Sequence, residues 1–298
     1  MIEPTAVTAA GRPGRGPIPN ASVSVIVPVY NEAHCVRESL LSLLGQDFRP
    51  LEIVVVDDGS RDESARICEA TGLTVLRQPH RGLGPTRNVG ARKAAWDILV
   101  FADADMVYEA GYVSTLVAPI ILGEAVATCH WDELVLNWDH RWARCESYYF
   151  RRPGRRRQPV TPPEGELMYR AVRKDFFLEA GGFAENEGRG DDLSVARRTG
   201  VLARIVRGAV CYHRGPESLR EVLREAAWHG RNVCVAPQGR LRRSLAALAD
   251  RNVPGVLERG VVSAVRHGEL GLPVFAVTYA LGFSWGVLHA LASGRYVK

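Results

Sequence analysis

Ser22-Val-Ser-Val-Ile-Val-Pro-Val29 is dominated by valine and isoleucine, and its reading decides the fold. β-Branched side chains favour extended backbone. The run is too apolar for a strand with one face in water, so it is expected to be a buried parallel strand. Working outward, Asn31 stands where it would cap a helix whose apolar residues Val36, Leu40, Leu43 and Leu44 recur at helical spacing, with Gly45 as its stop. A second strand, Glu52-Ile-Val-Val-Val-Asp57, runs into Asp58-Gly59-Ser60. There Ser60 and Glu63 form the pattern of a capping box, and Gly72 closes the helix that follows. Thr74 to Arg77 reads as a third strand, followed by a Gly/Pro-rich loop and a helix around Arg87 to Ala95. A fourth strand, Ile98-Leu-Val-Phe-Ala102, ends at Asp103-Ala104-Asp105. Strand and helix alternating at this spacing predict an α/β doubly wound sheet with right-handed crossovers. Ligands of such sheets bind beyond the carboxyl ends of the strands, where Asp57, Asp58, Asp103 and Asp105 all fall.

The second half is less regular. Trp131 to Phe150 is aromatic-rich, Arg151-Arg-Pro-Gly-Arg-Arg-Arg157 reads as a mobile solvated loop, and Gly165 to Arg170 as a short strand. Asp191-Asp192 is expected to open a helix to Arg198, and a strand from Ala203 to Tyr212 to deliver His213. From Glu217 onward the pattern is helical, broken near Pro237 to Gly239 and at Pro254. The expected organisation is a loose tail over 1–21, an α/β domain over 22–216 with halves meeting near residue 133, and a helical extension over 217–298.

The 298 residues carry 38 Lys+Arg against 33 Asp+Glu, and 46% of them are apolar, which excludes a disordered or collagen-like chain. The charge is divided: residues 1–133 hold 11 bases and 17 acids (−6), residues 134–298 hold 27 and 16 (+11). No nucleic-acid-binding pattern of interleaved basic and aromatic residues accompanies the basic half. Cys35, Cys68, Cys129, Cys145, Cys211 and Cys234 show no metal-ligand spacing, and no apolar signal segment opens the chain. They read as reduced, buried thiols of a cytoplasmic protein. Leu270 to Gly294 carries no formal charge and is long enough to span a bilayer, yet Pro273, His289 and its glycines equally suit packed or interfacial helices on the cytoplasmic face of a membrane.

Asp103-x-Asp105 at a strand end puts two carboxylates on one edge of a cleft, as Mg²⁺ or Mn²⁺ bound to a diphosphate requires. Alone, such a tripeptide is often a solvated turn. The second acidic strand end, Asp57-Asp58, changes the balance, because two carboxylate clusters aimed at one crevice repel unless a cation or a hydrogen-bonding ligand lies between them.

Val25-Ile-Val-Pro-Val-Tyr-Asn-Glu32, Val54-Val-Val-Asp-Asp-Gly-Ser60, Thr86-Arg-Asn-Val-Gly90 and Phe101-Ala-Asp-Ala-Asp105, taken in that order, resemble the nucleotide-sugar half of a family 2 glycosyltransferase. Gly181-Gly-Phe183 and Asp191-Asp192 resemble its acceptor half. The resemblance implies a GT-A fold, Rossmann-like with a mostly parallel central sheet flanked by helices. It implies transfer of a sugar from a nucleoside-diphosphate donor, a UDP-sugar before a GDP- or dTDP-sugar, to a hydroxyl acceptor that is a small molecule, a glycan or lipid-linked. Inversion at the anomeric carbon and a divalent Mn²⁺ or Mg²⁺ ion go with it. Carried residue by residue, Pro28, Tyr30 and Glu32 would line the base and ribose pocket, and either Asp57 or Asp58 would accept a hydrogen bond from the base. Arg87 would reach the nucleotide or its phosphates. Asp103 would contact ribose or metal, Asp105 would bind the metal, and His213 would complete the metal site. Asp192, with Asp191 second, stands where the family's Glu-Asp pair supplies the base, and Arg198 follows at the family's spacing. Trp228-His-Gly-Arg231 resembles a basic loop that closes over the diphosphate, with Arg231 as the clamp. A nucleotidyltransferase would instead need a glycine-rich basic loop after the first strand, which Pro28-Val-Tyr-Asn-Glu32 is not. A silent nucleotide- or glycan-binding relative would share the strand ends and lack the base.

Overall fold

The computed structural model describes residues 16–152, 154–185, 188–233 and 253–293, with isolated positions between 244 and 249. Two compact units divide the chain: Met1–Glu133 with Thr161–Asn186 and Gly190–His213, and Leu134–Val160 with Glu187–Arg189 and Arg214–Lys298. The segment 134–160, expected with the acceptor half, therefore groups with the C-terminal helices. Most of residues 1–21, the Pro237 to Gly239 break and Cys234 lie outside the described residues.

The first unit is built on an eight-stranded sheet of order β3-β2-β1-β4-β7-β6-β8-β5. Strands β1 (Val23–Val29), β2 (Leu51–Asp57), β3 (Thr74–Arg77) and β4 (Ile98–Phe101) are parallel. Their β-branched runs are buried nearly throughout in β1 and β4, which is why the chain reads as strand there without alternation. Helices α1 (Val36–Leu44), α2 (Ser64–Glu69) and α3 (Leu83–Lys93) make the crossovers. Past β4 the sheet turns antiparallel. β5 (Met106–Tyr108) pairs with β8 (Arg204–His213), and β7 (Ala171–Arg173) lies between β4 and β6 (Ala127–Val135). Helices α4 (Tyr112–Ile121), α6 (Lys174–Glu179) and α7 (Ser194–Thr199) complete this unit.

The order 3-2-1-4 puts the topological switch point, where the sheet stops growing to one side and starts growing to the other, between the parallel strands β1 and β4. β1 stays paired to β2 as far as Val29 but to β4 only as far as Ile26, facing Phe101. Pro28, which has no N–H to donate, sits on the β4 side where that pairing has ended. The strands separate there, and the crevice opens where the sequence places its acids.

Several local expectations are corrected. Asn31 does not cap α1. It takes a left-handed φ of 58°, and its Oδ1 accepts the Arg61 N–H at 2.8 Å while the helix begins at Val36. Ser60 does not cap α2 either, because its Oγ accepts the Asn31 N–H at 3.0 Å. The turns that follow β1 and β2 thus bond each other. Gly165 to Arg170 forms only an isolated bridge, Glu166 to Ala203, and the strand starts at Ala171. Asp191 and Asp192 lie in a 3₁₀ turn, Gly188–Leu193, ahead of α7.

The second unit holds α5 (Arg141–Tyr149), α8 (Leu219–Val233) and the helices Val253–His267 and Leu272–Ser293. Its core joins Val222 and Ala226 of α8 to Phe275, Tyr279, Phe283 and Val287. The arginine run is not a free loop. The buried Glu146 carboxylate lies 3.1 Å from Arg152 Nη1 and 3.5 Å from Arg157 Nη1, and Arg155 donates to the Val135 carbonyl at 3.2 Å. A buried carboxylate needs cationic partners, and this run supplies them.

Candidate functional site

Both acidic strand ends reach the crevice of the first unit, and each carboxylate has a different employment. Asp58 is committed to the loop after β3. It accepts the Gln78 side chain at 2.6 Å and the N–H groups of Arg81 and Gly82 at 2.9 and 2.8 Å, and His80 Nδ1 stands 2.9 Å from it. Asp57 is as buried but accepts only the Ser60 N–H, at 3.3 Å, among the described residues. Of the two, Asp57 is the one with acceptor capacity left for a ligand. Tyr30, exposed at the rim, stacks on His80 with ring centroids 4.0 Å apart, and Pro28 is buried in β1.

Asp103, expected as a ribose or metal ligand, is held by two arginines. One oxygen accepts Arg87 Nη2 and the other Arg170 Nη1, each at 2.6 Å, so both are engaged. Burial opposes its charge, but the two guanidinium groups hold its carboxyl well below the ordinary range. Arg87 itself is 4% exposed, lies by the rings of Phe101 and Phe183, and is turned to Asp103, so it bears on the crevice through that carboxylate. Arg170 is the residue the sequence reading missed. Its one signal was a guanidinium embedded in the apolar run Tyr169-Arg170-Ala171-Val172, where an arginine is buried only with a carboxylate partner. Asp103→Ala is expected to leave two buried cations unpaired and to lower stability by about 3–5 kcal/mol, read as a fall in the denaturant midpoint.

Asp105 and His213 are brought together by the antiparallel pairing of β5 with β8, which sets Met106 opposite His213. His213 Nε2 is 3.2 Å from Asp105 Oδ2. Burial acts against the Asp105 charge, and the facing His213 outweighs it and holds the carboxyl low. Glu32 belongs to the same group of charges: burial first, then the Asp105 charge, pushes its carboxyl up to about 7, while Cys35 Sγ donates to it at 3.2 Å. The Asp105 carboxylate and the His213 imidazole, both half-exposed, are donor types that suit Mn²⁺ or Mg²⁺, while the Glu32 carboxylate converges within 4.8 Å on His34 and Cys35.

The acid pair divides in the same way. Asp191 is buried against α3, where a side chain at Gly84 would come within 2.8 Å of its Oδ2. Asp192 is less buried. Desolvation raises its carboxyl above the usual value, Arg87 and Arg170 pull it back, and Asp103 raises it again. It therefore lies within the field of the strand-end cluster. The two motifs flanking it are locked together: Asn88 donates to the Phe183 carbonyl at 2.8 Å and accepts its N–H at 2.9 Å, and Arg198 donates to the Gly182 carbonyl. Gly182 has φ +70° and no room for a Cβ, which would stand 2.6 Å from Asn88 Oδ1.

Arg231 is not on a loop. Val222, Ala226 and Gly230, spaced by four, give α8 a continuous buried stripe, so Trp228 to Arg231 continues as helix in the second unit. The cysteines Cys35, Cys68, Cys129, Cys145 and Cys211 are buried as thiols.

Among solved structures, the fold is similar to the mannosyltransferase PcManGT of Pyrobaculum calidifontis in complex with GDP-Man and Mn²⁺ (TM-score 0.55, 21% identity, covering 92% of this chain and 91% of that one). It is also similar to S. aureus TarS 1-349 in complex with UDP-GlcNAc (TM-score 0.52, 16% identity, 93% of each chain). In sequence, the chain is 36% identical over 104 residues to glycosyltransferase GlyA of Streptococcus pneumoniae, covering 33% of this chain and 15% of that protein. It is 26% identical over 240 residues to the pre-mycofactocin glycosyltransferase of Mycobacterium tuberculosis, covering 76% of this chain and 49% of that protein. The chain thus spans at most about half the length of these two relatives. The model of glycosyl transferase family 2 matches residues 24–179, just over half of the chain and the span that carries both acidic strand ends, Arg170 and the β1–β4 crevice; the protein belongs to that family.

Proposed function

We propose that the protein transfers a sugar from a nucleoside-diphosphate donor, a UDP-sugar first, to a hydroxyl acceptor with inversion, using a divalent cation. The observation that carries this reading is the Asp105–His213 pair, 3.2 Å apart, in a crevice where Asp103 is neutralised by Arg87 and Arg170 and Asp58 is committed to the loop after β3. Asp105 and His213 would hold the cation, with Glu32 beside them, and the cation would supply positive charge to the departing diphosphate. Asp57 would accept from the nucleobase at the Tyr30 rim. Asp192 would take the proton of the acceptor hydroxyl, a task suited by a carboxyl raised above its usual value. Arg87 and Arg170 balance Asp103, so that the base is not faced by an unneutralised carboxylate. The acceptor belongs to the small-molecule, glycan or lipid-linked classes, and the enzyme would work on the cytoplasmic side, peripheral to a membrane.

The test uses water as a stand-in acceptor. UDP-, GDP- and dTDP-sugars are incubated with the protein and Mn²⁺, and the freed sugar is followed by NMR. Mn²⁺-dependent release, fastest from a UDP-sugar and first appearing as the anomer opposite to the donor, is expected; release of the donor's own anomer would contradict inversion.

A further inference from the structure

Among the described residues of the second unit, two helices leave apolar side chains in solvent. On helix Leu272–Ser293 the exposed residues Val274, Leu281, Trp285 and Leu288 are spaced by seven, four and three, which puts them on one face. On helix Val253–His267 only Val256, Gly260 and Ala264 form a buried stripe, and Leu257, Val261, Val262 and Val265 stand in water. Leu270, between the two helices, is 87% exposed, and Trp285 is 64% exposed. The helices pack on each other, with a Cβ at Gly260 meeting Pro273 Cα at 2.9 Å, so both stripes belong to one packed helix pair. Soluble monomers rarely leave contiguous apolar patches of this kind uncovered.

Helix Leu272–Ser293 is long enough to cross a bilayer, its 22 residues extending about 33 Å. Its partner forbids that pose. α8 lies against it at backbone distance: a Cβ at Gly282 would stand 2.6 Å from the Leu223 carbonyl, one at Gly286 2.0 Å from the Ala227 carbonyl, and one at Gly230 2.1 Å from the Phe283 carbonyl. α8 exposes Arg220 and Arg224, separated by one turn, next to the exposed Leu223. A spanning helix would carry these charges into hydrocarbon, where guanidinium groups are strongly disfavoured. Lying flat, the same helices bury the apolar stripes among acyl chains and leave arginines at head-group level. Arg259 and Arg266 on helix Val253–His267 are exposed as well, and the half of the chain that contains these helices carries 27 bases against 16 acids.

We propose that the exposed stripes of helices Val253–His267 and Leu272–Ser293 form an in-plane docking surface for an anionic lipid bilayer, inserted to acyl depth without spanning it. The surface is independent of the transfer chemistry, and Trp285 is its interfacial anchor.

Flotation of the full chain with vesicles of phosphatidylcholine, and of phosphatidylcholine with phosphatidylglycerol, tests this. Binding is expected, tighter to the anionic vesicles. Lipids brominated near the head group should quench tryptophan emission, and Trp285→Phe should remove most of that quenching. Leu281→Asp and Leu288→Asp should each weaken vesicle binding about tenfold or more, with the thermal unfolding midpoint in the absence of lipid unchanged. No binding to either vesicle would overturn the proposal. So would a lipid-free dimer, seen by sedimentation velocity, that Leu281→Asp dissociates, because a second copy would then cover the face. Quenching only by lipids brominated at the acyl terminus would overturn the in-plane pose in favour of a span.

Discussion

Asp192→Asn is expected to bind nucleotide as the unaltered protein does and to lose about 10²- to 10⁴-fold in turnover. The base must be unprotonated to accept the acceptor proton. Asp192 is raised above the ordinary carboxylate value by its burial, against the pull of Arg87 and Arg170. Turnover should therefore fall as pH drops through a pKa higher than that of a solvent-exposed aspartate, and this acid limb should vanish in the residual activity of Asp192→Asn. Asp191→Asn separates the two neighbours. Asp191 is packed against Gly84 of α3, so its substitution should act on stability, not on the pH profile. A pH–rate profile of each variant, with a denaturant titration beside it, distinguishes these roles.

Asp105→Asn is expected to abolish the cation-dependent part of nucleotide binding, a loss of at least about 100-fold in affinity in the presence of Mn²⁺. The reason is the division of labour at the strand end. Asp103 has both oxygens engaged by Arg87 and Arg170, and Asp58 by the 78–82 loop, so neither can replace Asp105 without leaving cations or N–H donors unpaired. His213→Ala should weaken the same binding less, because the Asp105 carboxylate remains. Isothermal titration with UDP at fixed Mn²⁺ reads both effects.

The parallel half of the fold was legible because β1, β2 and β4 are largely buried runs rich in β-branched residues, two of them followed by acids; the reading of Thr74 to Arg77 as the more exposed β3 matches the structure residue for residue. The capping residues were misread for one shared reason. Asn31 and Ser60 have the right chemistry for helix caps, but they bond each other's turns at the ends of β1 and β2, a long-range pairing that local pattern cannot show. The antiparallel half was harder, since β7 has three residues and pairs with strands far away in the chain. At the candidate site, the sequence singled out Asp105 and His213, which the structure brings within 3.2 Å of each other, but it could not distribute tasks among neighbouring acids. Asp57 and Asp58 are adjacent and equally buried; only the 78–82 loop separates them. Arg170 carries no motif at all, and its importance comes from the Asp103 oxygen it occupies.

The central claim is that Asp105 and His213 hold a cation that in turn holds a nucleoside diphosphate. Thermal unfolding with UDP, GDP, dTDP and CMP, each with and without Mn²⁺, tests it most directly. At a hundredfold excess over Kd a ligand of the folded state adds about 2.7 kcal/mol, so UDP with Mn²⁺ should raise Tm by about 5 °C or more, with neither component sufficient alone and no shift in Asp105→Asn. A UDP shift of equal size without Mn²⁺, or one that persists in Asp105→Asn, would contradict it.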